Sequence, residues 1–182
     1  MAAKPGEVAF LCKQCGVGCE AVDDELVQVP VEFAVPKRDP GALACYLPVW
    51  VFAAQLKLSR QSAGFSLFGG RNSGEYDLKF YVPAFAGGLA TLKQLGAGLT
   101  RKQPEYDTIL RQQLAGIALR REDAKRVADY LLITIEAEKP DMLQGLTYSL
   151  ELSQAKLLGI PCVRQGDKLK EALTGLTFSY QL

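Results

Sequence analysis

The stretch YLPVWVFAAQLKL, residues 46–58, decides the fold class. Trp50, Phe52, Ala54, Leu56 and Leu58 recur at every second position, which puts them on one face of an extended strand and predicts that this face is buried. Pro48 is expected at the start of such a strand, because it has no N–H to give to a ladder. YDLKFYV at 76–82 extends the pattern after a loop containing GGRNSG, so the two segments read as a long-looped antiparallel hairpin. That loop lacks the Gly-Lys-Ser/Thr ending of a phosphate cradle and leads into no helical pattern.

Two helices follow further along. Phe85, Leu89, Leu92, Leu95 and Leu99 fall at helical spacing, against Gly87, Gly88, Gly96 and Gly98, each costing ~1 kcal/mol relative to alanine. A clearer helix is predicted over 122–138, where Ala124, Val127, Ala128, Leu131, Leu132 and Ile135 form one stripe, Glu122 and Asp123 suit the positive N-terminal end, and Pro140 stops the run. The β-branched content of Leu131 to Ile135 also suits the start of a strand. From Leu146 the pattern is extended: LTYSLEL alternates, AKLLGIPCVR is an apolar run, Gly166-Asp167 signals a turn and GLTFSYQL follows, a meander expected to pack on the long helix. Proline after a branched apolar residue recurs in YLPVW, FYVPAF and GIPCV, hinting at a duplicated strand-edge element without the fixed period of roughly 20 to 50 residues that marks a repeat array.

Upstream, VAFL enters a small β-unit, the cysteines and glycines turn the chain, and LVQVPVEFAV leaves it with period-2 alternation. PKRDPGA, residues 36–42, combines prolines, glycine and charges and reads as a linker. The expected organisation is α+β: a degenerate zinc-ribbon-like β-unit at 1–35, the linker at 36–42, and an antiparallel-sheet body with about two helices at 43–182.

Of 182 residues, 48% are hydrophobic and 23% charged, enough to bury a core without disorder. A net charge of +1 supplies no long-range field for nucleic acid or anionic lipid. The complete absence of histidine removes Ser-His-Asp and Cys-His catalysis, the H-E-x-x-H metalloprotease arrangement and histidine zinc ligation, leaving Cys, Asp and Glu to build any metal site. MAAKPGEVAF lacks the apolar core of a signal peptide, and no apolar run is long enough to span a bilayer, so a cytoplasmic protein is expected.

Three of the five cysteines crowd into FLCKQCGVGCE: Cys12 and Cys15 have the C-x-x-C spacing of a metal knuckle, Gly16 allows the tight turn after it, and Cys19 follows. Cys45 is the next sulfur donor, and Cys162, inside an apolar run, reads as a buried small hydrophobe. Without a βαβ context around it, the C-x-x-C does not read as a thioredoxin-like redox motif.

CKQCG at 12–16, DDELV at 23–27, YLPVW at 46–50 and YVPAF at 81–85 resemble a group of uncharacterised bacterial proteins in which an N-terminal zinc ribbon precedes a body with a Y-L-P-F-W-like strand and a V-P-A-F motif. The resemblance covers the first half of the chain and implies a ribbon-plus-body organisation without an activity. That group carries a second cysteine pair soon after its D-x-L-V segment. Here Pro30 and Phe33 hold that spacing, so half of the metal site is missing. Three readings of the cysteines remain: a zinc site rebuilt on Cys12, Cys15, Cys19 and Cys45, an iron–sulfur cluster in spite of a spacing unlike the ferredoxin runs, and a metal-free relic.

Other constellations have plainer readings. Arg101, Lys102, Arg111, Arg120, Arg121, Lys125 and Arg126 around Tyr106 suggest a nucleic-acid surface, but Glu105, Asp107, Glu122 and Asp123 make it a mixed, solvated face. Glu136, Glu138 and Asp141 read as solvated helix-end carboxylates, and Tyr46, Trp50 and Phe52 as core. The function expected is a non-enzymatic binding or structural module for a protein partner or a second copy of itself, with one structural zinc or none. The alternatives are a hydrolytic or transferase-type enzyme working with carboxylates and arginine, and a nucleic-acid-binding zinc-ribbon protein.

Overall fold

The alternating stretch lies within a 17-residue strand whose two neighbours build the centre of the molecule. The structure, a computed structural model, describes residues 6–12, 16–23, 25–59, 74–138 and 145–180. Among them, in chain order, are β1 (Ala9–Leu11), β2 (Gly18–Val22), β3 (Glu25–Val29), β4 (Val31–Val35), β5 (Leu43–Ser59), β6 (Gly74–Pro83), α1 (Leu89–Lys102), β7 (Asp107–Ile109), α2 (Arg121–Ala137), β8 (Thr147–Gln165), β9 (Lys168–Glu171) and β10 (Thr177–Ser179). The fold is α+β, with two described helices and mostly antiparallel strands.

β5 and β6 form the expected antiparallel hairpin, while the GGRNSG loop between them lies outside the described residues. The other edge of β5 pairs antiparallel with β8 over nearly its whole length. β4 runs parallel to β8 at Leu157–Gly159 and is flanked by β7, while β9 and β10 extend the sheet from the end of β8 as the predicted meander.

Both faces of the sheet are covered. Trp50, Phe52, Ala54, Leu56, Phe80 and Leu157 pack with Ala124, Ala128, Leu131 and Leu132 of α2 on one side. Leu47, Val49, Val51, Tyr81, Leu158 and Ile160 pack with Leu95 and Leu99 of α1 on the other. Burial on two sides explains why LLGIPC is a continuous apolar run rather than an alternating one. It also corrects the expected partner of the meander: Leu169 of β9 and Phe178 of β10 belong to the α1 side, and only the first half of β8 reaches α2. A bulge at Gln154 (φ 49°) shifts the register, so Tyr148, Leu150, Leu152 and Leu157 share one face despite their odd spacing.

Pro48 stands inside β5 rather than at its start. Its carbonyl accepts the N–H of Ala84 at 2.9 Å, so its nitrogen faces the place where the β5–β6 ladder ends at the Val49–Pro83 pair. Pro161 lies across from Tyr46, and Pro48 across from Gly159. The three recurrent prolines thus mark one level of β6, β5 and β8.

The glycines of α1 have a packing reason. A Cβ at Gly96 would lie 2.7 Å from Leu131 Cδ1 and 3.0 Å from Pro83 Cδ and the Tyr81 carbonyl, so the bare backbone lets α1 close onto α2 and β6.

β1, β2 and β3 make a separate antiparallel sheet. Val31–Val35, grouped with this unit in the sequence, is instead β4 of the large sheet, and PKRDPGA joins β4 to β5 within that sheet; the division falls at Pro30. The small sheet is tied to the body by Val8 N–H to the Ile117 carbonyl at 2.9 Å and by burial of Ala9, Glu20 and Val29 on its inner face. No described helix is long and apolar enough to cross a membrane.

Candidate functional site

The β1–β2 register pairs Phe10 with Cys19 and Leu11 with Gly18, and Cys12 N–H continues the ladder to the Val17 carbonyl at 2.8 Å. Side chains alternate between faces. Ala9, Leu11 and Glu20 therefore point to the body, and Phe10, Cys12 and Cys19 share the outer face. Gly16 N–H bonds the Cys12 carbonyl at 2.8 Å, and Gly16 takes φ 75°, the turn expected after a knuckle. Cys12 and Cys19 are diagonal neighbours, a relation that separates Cα atoms by about 7–8 Å. Both are half-buried, and Cys15, which comes between them in sequence, lies outside the described residues.

Cys45 is not part of this grouping. It stands on β5 directly across from Cys162 of β8, on the α1 side of the large sheet. Among the described residues, no three Cys, Asp or Glu side chains gather to hold a metal ion. The described thiols of the small sheet are Cys12 and Cys19.

The two thiols of the second grouping touch. Hydrogen bonding with Cys162 pulls the Cys45 thiol below its ordinary value, against the opposing effect of burial and with help from Arg164; the same contact, with burial, pushes Cys162 far up. Cys162 is fully buried, with its sulfur 3.6 Å from the Ile160 carbonyl, the alternative acceptor for its one S–H, whereas Cys45 is half-buried. Nothing local in the chain marks this pair, because a cross-strand partner 117 positions away depends on the register of the whole β5–β8 ladder.

No family model, curated protein or solved structure matches the chain.

Two surface depressions among the described residues are further candidates. One, of about 260 Å³, is lined by Lys79, Tyr81, Gln103, Pro104, Glu105 and Tyr106. Its Gln103 side chain is committed to the edge of β6, accepting Lys79 N–H at 2.9 Å and donating to the Lys79 carbonyl at 2.7 Å. Glu105 is ion-paired to Lys37. The other, of about 470 Å³, lies at the Gln154 bulge and holds Asp77 and Glu151 on either side of Gln55. Those carboxylates are exposed and two strands apart, about 10 Å in sheet spacing, with no water-excluded wall around them.

The basic positions are spread among ion pairs and caps. Arg101 pairs with Glu138, Lys125 with Glu122 at 2.9 Å, Arg126 with Asp123 at 3.7 Å, and Lys102 donates to the Thr174 carbonyl at 3.0 Å. Of the helix-end carboxylates, Glu136 is fully buried rather than solvated, and Asp141 lies outside the described residues. Trp50 and Phe52 are core as expected, stacked at 6.4 Å, while Tyr46 is half-buried and packs against the core, edge-on to Phe33 at 5.2 Å.

Proposed function

We propose that the chain is a non-enzymatic binding module whose small N-terminal sheet carries a thiolate-held zinc on its outer face and offers that face to a protein partner. The observation that carries the reading is the division of the sheet: its inner residues Ala9, Glu20 and Val29 are sealed against the body, while Cys12 and Cys19 stand together on the other side. Cys12, Cys15 and Cys19 would hold the ion, with the fourth position of a tetrahedral site left to water or to a donor from the partner. The zinc would fix the turn between β1 and β2, which at three residues for β1 has little ladder of its own. Leu26, 65% exposed on the open edge strand β3, adds apolar surface on the same sheet.

Elemental analysis of protein purified without chelator tests this. The expected result is one zinc per chain, lost in Cys12→Ser and in Cys19→Ser and kept in Cys45→Ser. Loss of the metal in Cys45→Ser, or a metal-free chain, overturns the assignment, and iron redirects it to electron transfer or sensing. A nucleic-acid titration at two salt concentrations separates the protein-binding reading from the nucleic-acid one, since phosphate contacts weaken steeply with salt.

A further inference from the structure

Cys45 and Cys162 are direct partners in an antiparallel ladder, a placement that the metal reading does not use. The Tyr46 carbonyl turns outward to Ala115 N–H at 3.0 Å, and the Pro161 carbonyl turns outward to Ala172 N–H at 2.9 Å. Tyr46–Pro161 is therefore a non-hydrogen-bonded pair, and the adjacent Cys45–Cys162 pair is hydrogen-bonded. Such pairs hold their Cα atoms about 5.5 Å apart, inside the range of about 4.4–6.8 Å that a disulfide spans. Partners in a ladder also point their side chains to the same side of the sheet, and because a hydrogen-bonded pair holds its Cβ atoms about 5.5 Å apart, a bond between the two sulfurs draws the strands together locally by about 1 Å. The register slips between the Leu43 and Cys45 pairings, a bulge beside the site of the kind that re-aims a side chain next to reactive groups.

We propose that Cys45 and Cys162 form a reversible dithiol–disulfide site that takes a hydroperoxide as oxidant. The two sulfurs have unequal access, and that assigns their roles. Cys45, half-buried, is the one a small peroxide reaches; Cys162, fully buried, resolves. In the first step the Cys45 sulfur, giving up its proton, attacks the terminal peroxide oxygen. The S–O bond forms, the O–O bond breaks, and the displaced oxygen leaves as alcohol or water with that proton. In the second step the Cys162 sulfur attacks the Cys45 sulfenic sulfur; the S–S bond forms, the S–O bond breaks, and the hydroxyl leaves as water with the Cys162 proton. Two electrons pass from the two thiols to one peroxide. A dithiol reductant reverses the reaction by exchange through a mixed disulfide at Cys45. The product bonds the start of β5 to the last third of β8, linking two central strands of the sheet.

The test is on the wild-type chain, exposed to a slight excess of hydrogen peroxide, alkylated, digested without reductant and mapped by mass spectrometry. The expected result is a Cys45–Cys162 linked peptide pair as the main product, lost on treatment with dithiothreitol, together with a rise in melting temperature of the oxidised chain. In Cys162→Ala, which keeps the buried site apolar, Cys45 is expected to persist as a sulfenic acid that dimedone labels. Recovery of both cysteines as alkylated monomers after denaturation of the peroxide-treated chain, or linkage of Cys45 to Cys12, Cys15 or Cys19 instead, overturns the proposal. Because zinc content is read separately on Cys12→Ser and Cys19→Ser, failure of one assignment leaves the other standing.

Discussion

Glu20 of β2 accepts the backbone N–H of Arg121, the first residue of α2, at 2.6 Å. One carboxylate from the small sheet thus caps the helix of the body, at the end where the helix dipole favours negative charge, and its second oxygen lies 3.7 Å from the Arg121 guanidinium. Arg120, the N-cap residue, supplies no side-chain cap of its own, so the bond replaces one that the local sequence lacks. Glu20 is 1% exposed, which makes the contact part of the joint between the two sheets.

Glu20→Ala should therefore cost about 2 kcal/mol of stability in urea unfolding, from the lost cap and the charged hydrogen bond together. Glu20→Gln, which keeps an acceptor, should lose less than half of that. Limited proteolysis should cut the alanine variant near Pro30 faster than the wild type; equal cutting would mean that the joint is held by apolar burial alone.

Gly96 sets the approach of α1 to α2. Alanine there raises helix propensity by ~1 kcal/mol but puts a methyl group 2.7 Å from Leu131 Cδ1 and 3.0 Å from backbone, an overpacking that costs ~1–3 kcal/mol. The net expectation for Gly96→Ala is a lower denaturation midpoint. Gly88, the N-cap of the same helix, meets nothing within 4 Å, so Gly88→Asp should raise stability by a few tenths of a kcal/mol and the midpoint with it. A stabilised Gly96→Ala would show that the two helices can separate without loss.

These glycines also show where the sequence stops being readable. Periodicity located α1, α2, β5 and β6, because an apolar stripe at 3.6 or 2 residues is a local property. The joint at Glu20, the closeness at Gly96 and the pairing of Cys45 with Cys162 are all long-range, and each depends on a register or crossing that local pattern leaves open. Val31–Val35 continues the alternation of the N-terminal strands across Pro30, and only its partners β7 and β8 assign it to the body. Of the thiols, C-x-x-C and Cys19 are neighbours in the sequence itself, whereas the partner of Cys45 lies at Cys162, where only the β5–β8 register places it.

Glu171, fully buried, organises the turn between β9 and β10. Its carboxylate accepts the N–H groups of Leu173 at 2.8 Å, Thr174 at 3.0 Å and Leu176 at 2.8 Å, together with the Thr174 hydroxyl. Alanine would leave these donors without an acceptor in a site closed to water, so Glu171→Ala should lose about 3 kcal/mol or more. Glutamine keeps one carbonyl oxygen but turns an NH₂ toward donors, and it should fall between the two. Hydrogen exchange of the Leu173, Thr174 and Leu176 amides reads the effect locally; unchanged protection in the alanine variant would mean that the turn is fixed by Gly175 (φ 81°) and by packing alone.

Tyr81 gives the expected pH dependence. Its hydroxyl is buried without a hydrogen-bond partner among the described residues, and burial, with Tyr106 beside it, holds the phenol well above its ordinary value. The folded chain therefore retains this proton longer than the unfolded chain. Below pH ~10 both states are protonated and the contribution to stability is fully present. Above it the unfolded state releases its proton first, and stability falls with a slope approaching ~1.4 kcal/mol per pH unit. Tyr81→Phe removes that group, so its stability at pH 8 should equal or exceed that of the wild type, because an unsatisfied hydroxyl has been taken out of the core. Its loss between about pH 10 and 11 should be shallower. Tyr148 and Tyr180, also raised chiefly by burial, keep a residual alkaline decline in the variant. Urea midpoints of both chains at pH 8, 10 and 11 make the comparison, and parallel declines would show that Tyr81 ionises in the folded chain as readily as in the unfolded one.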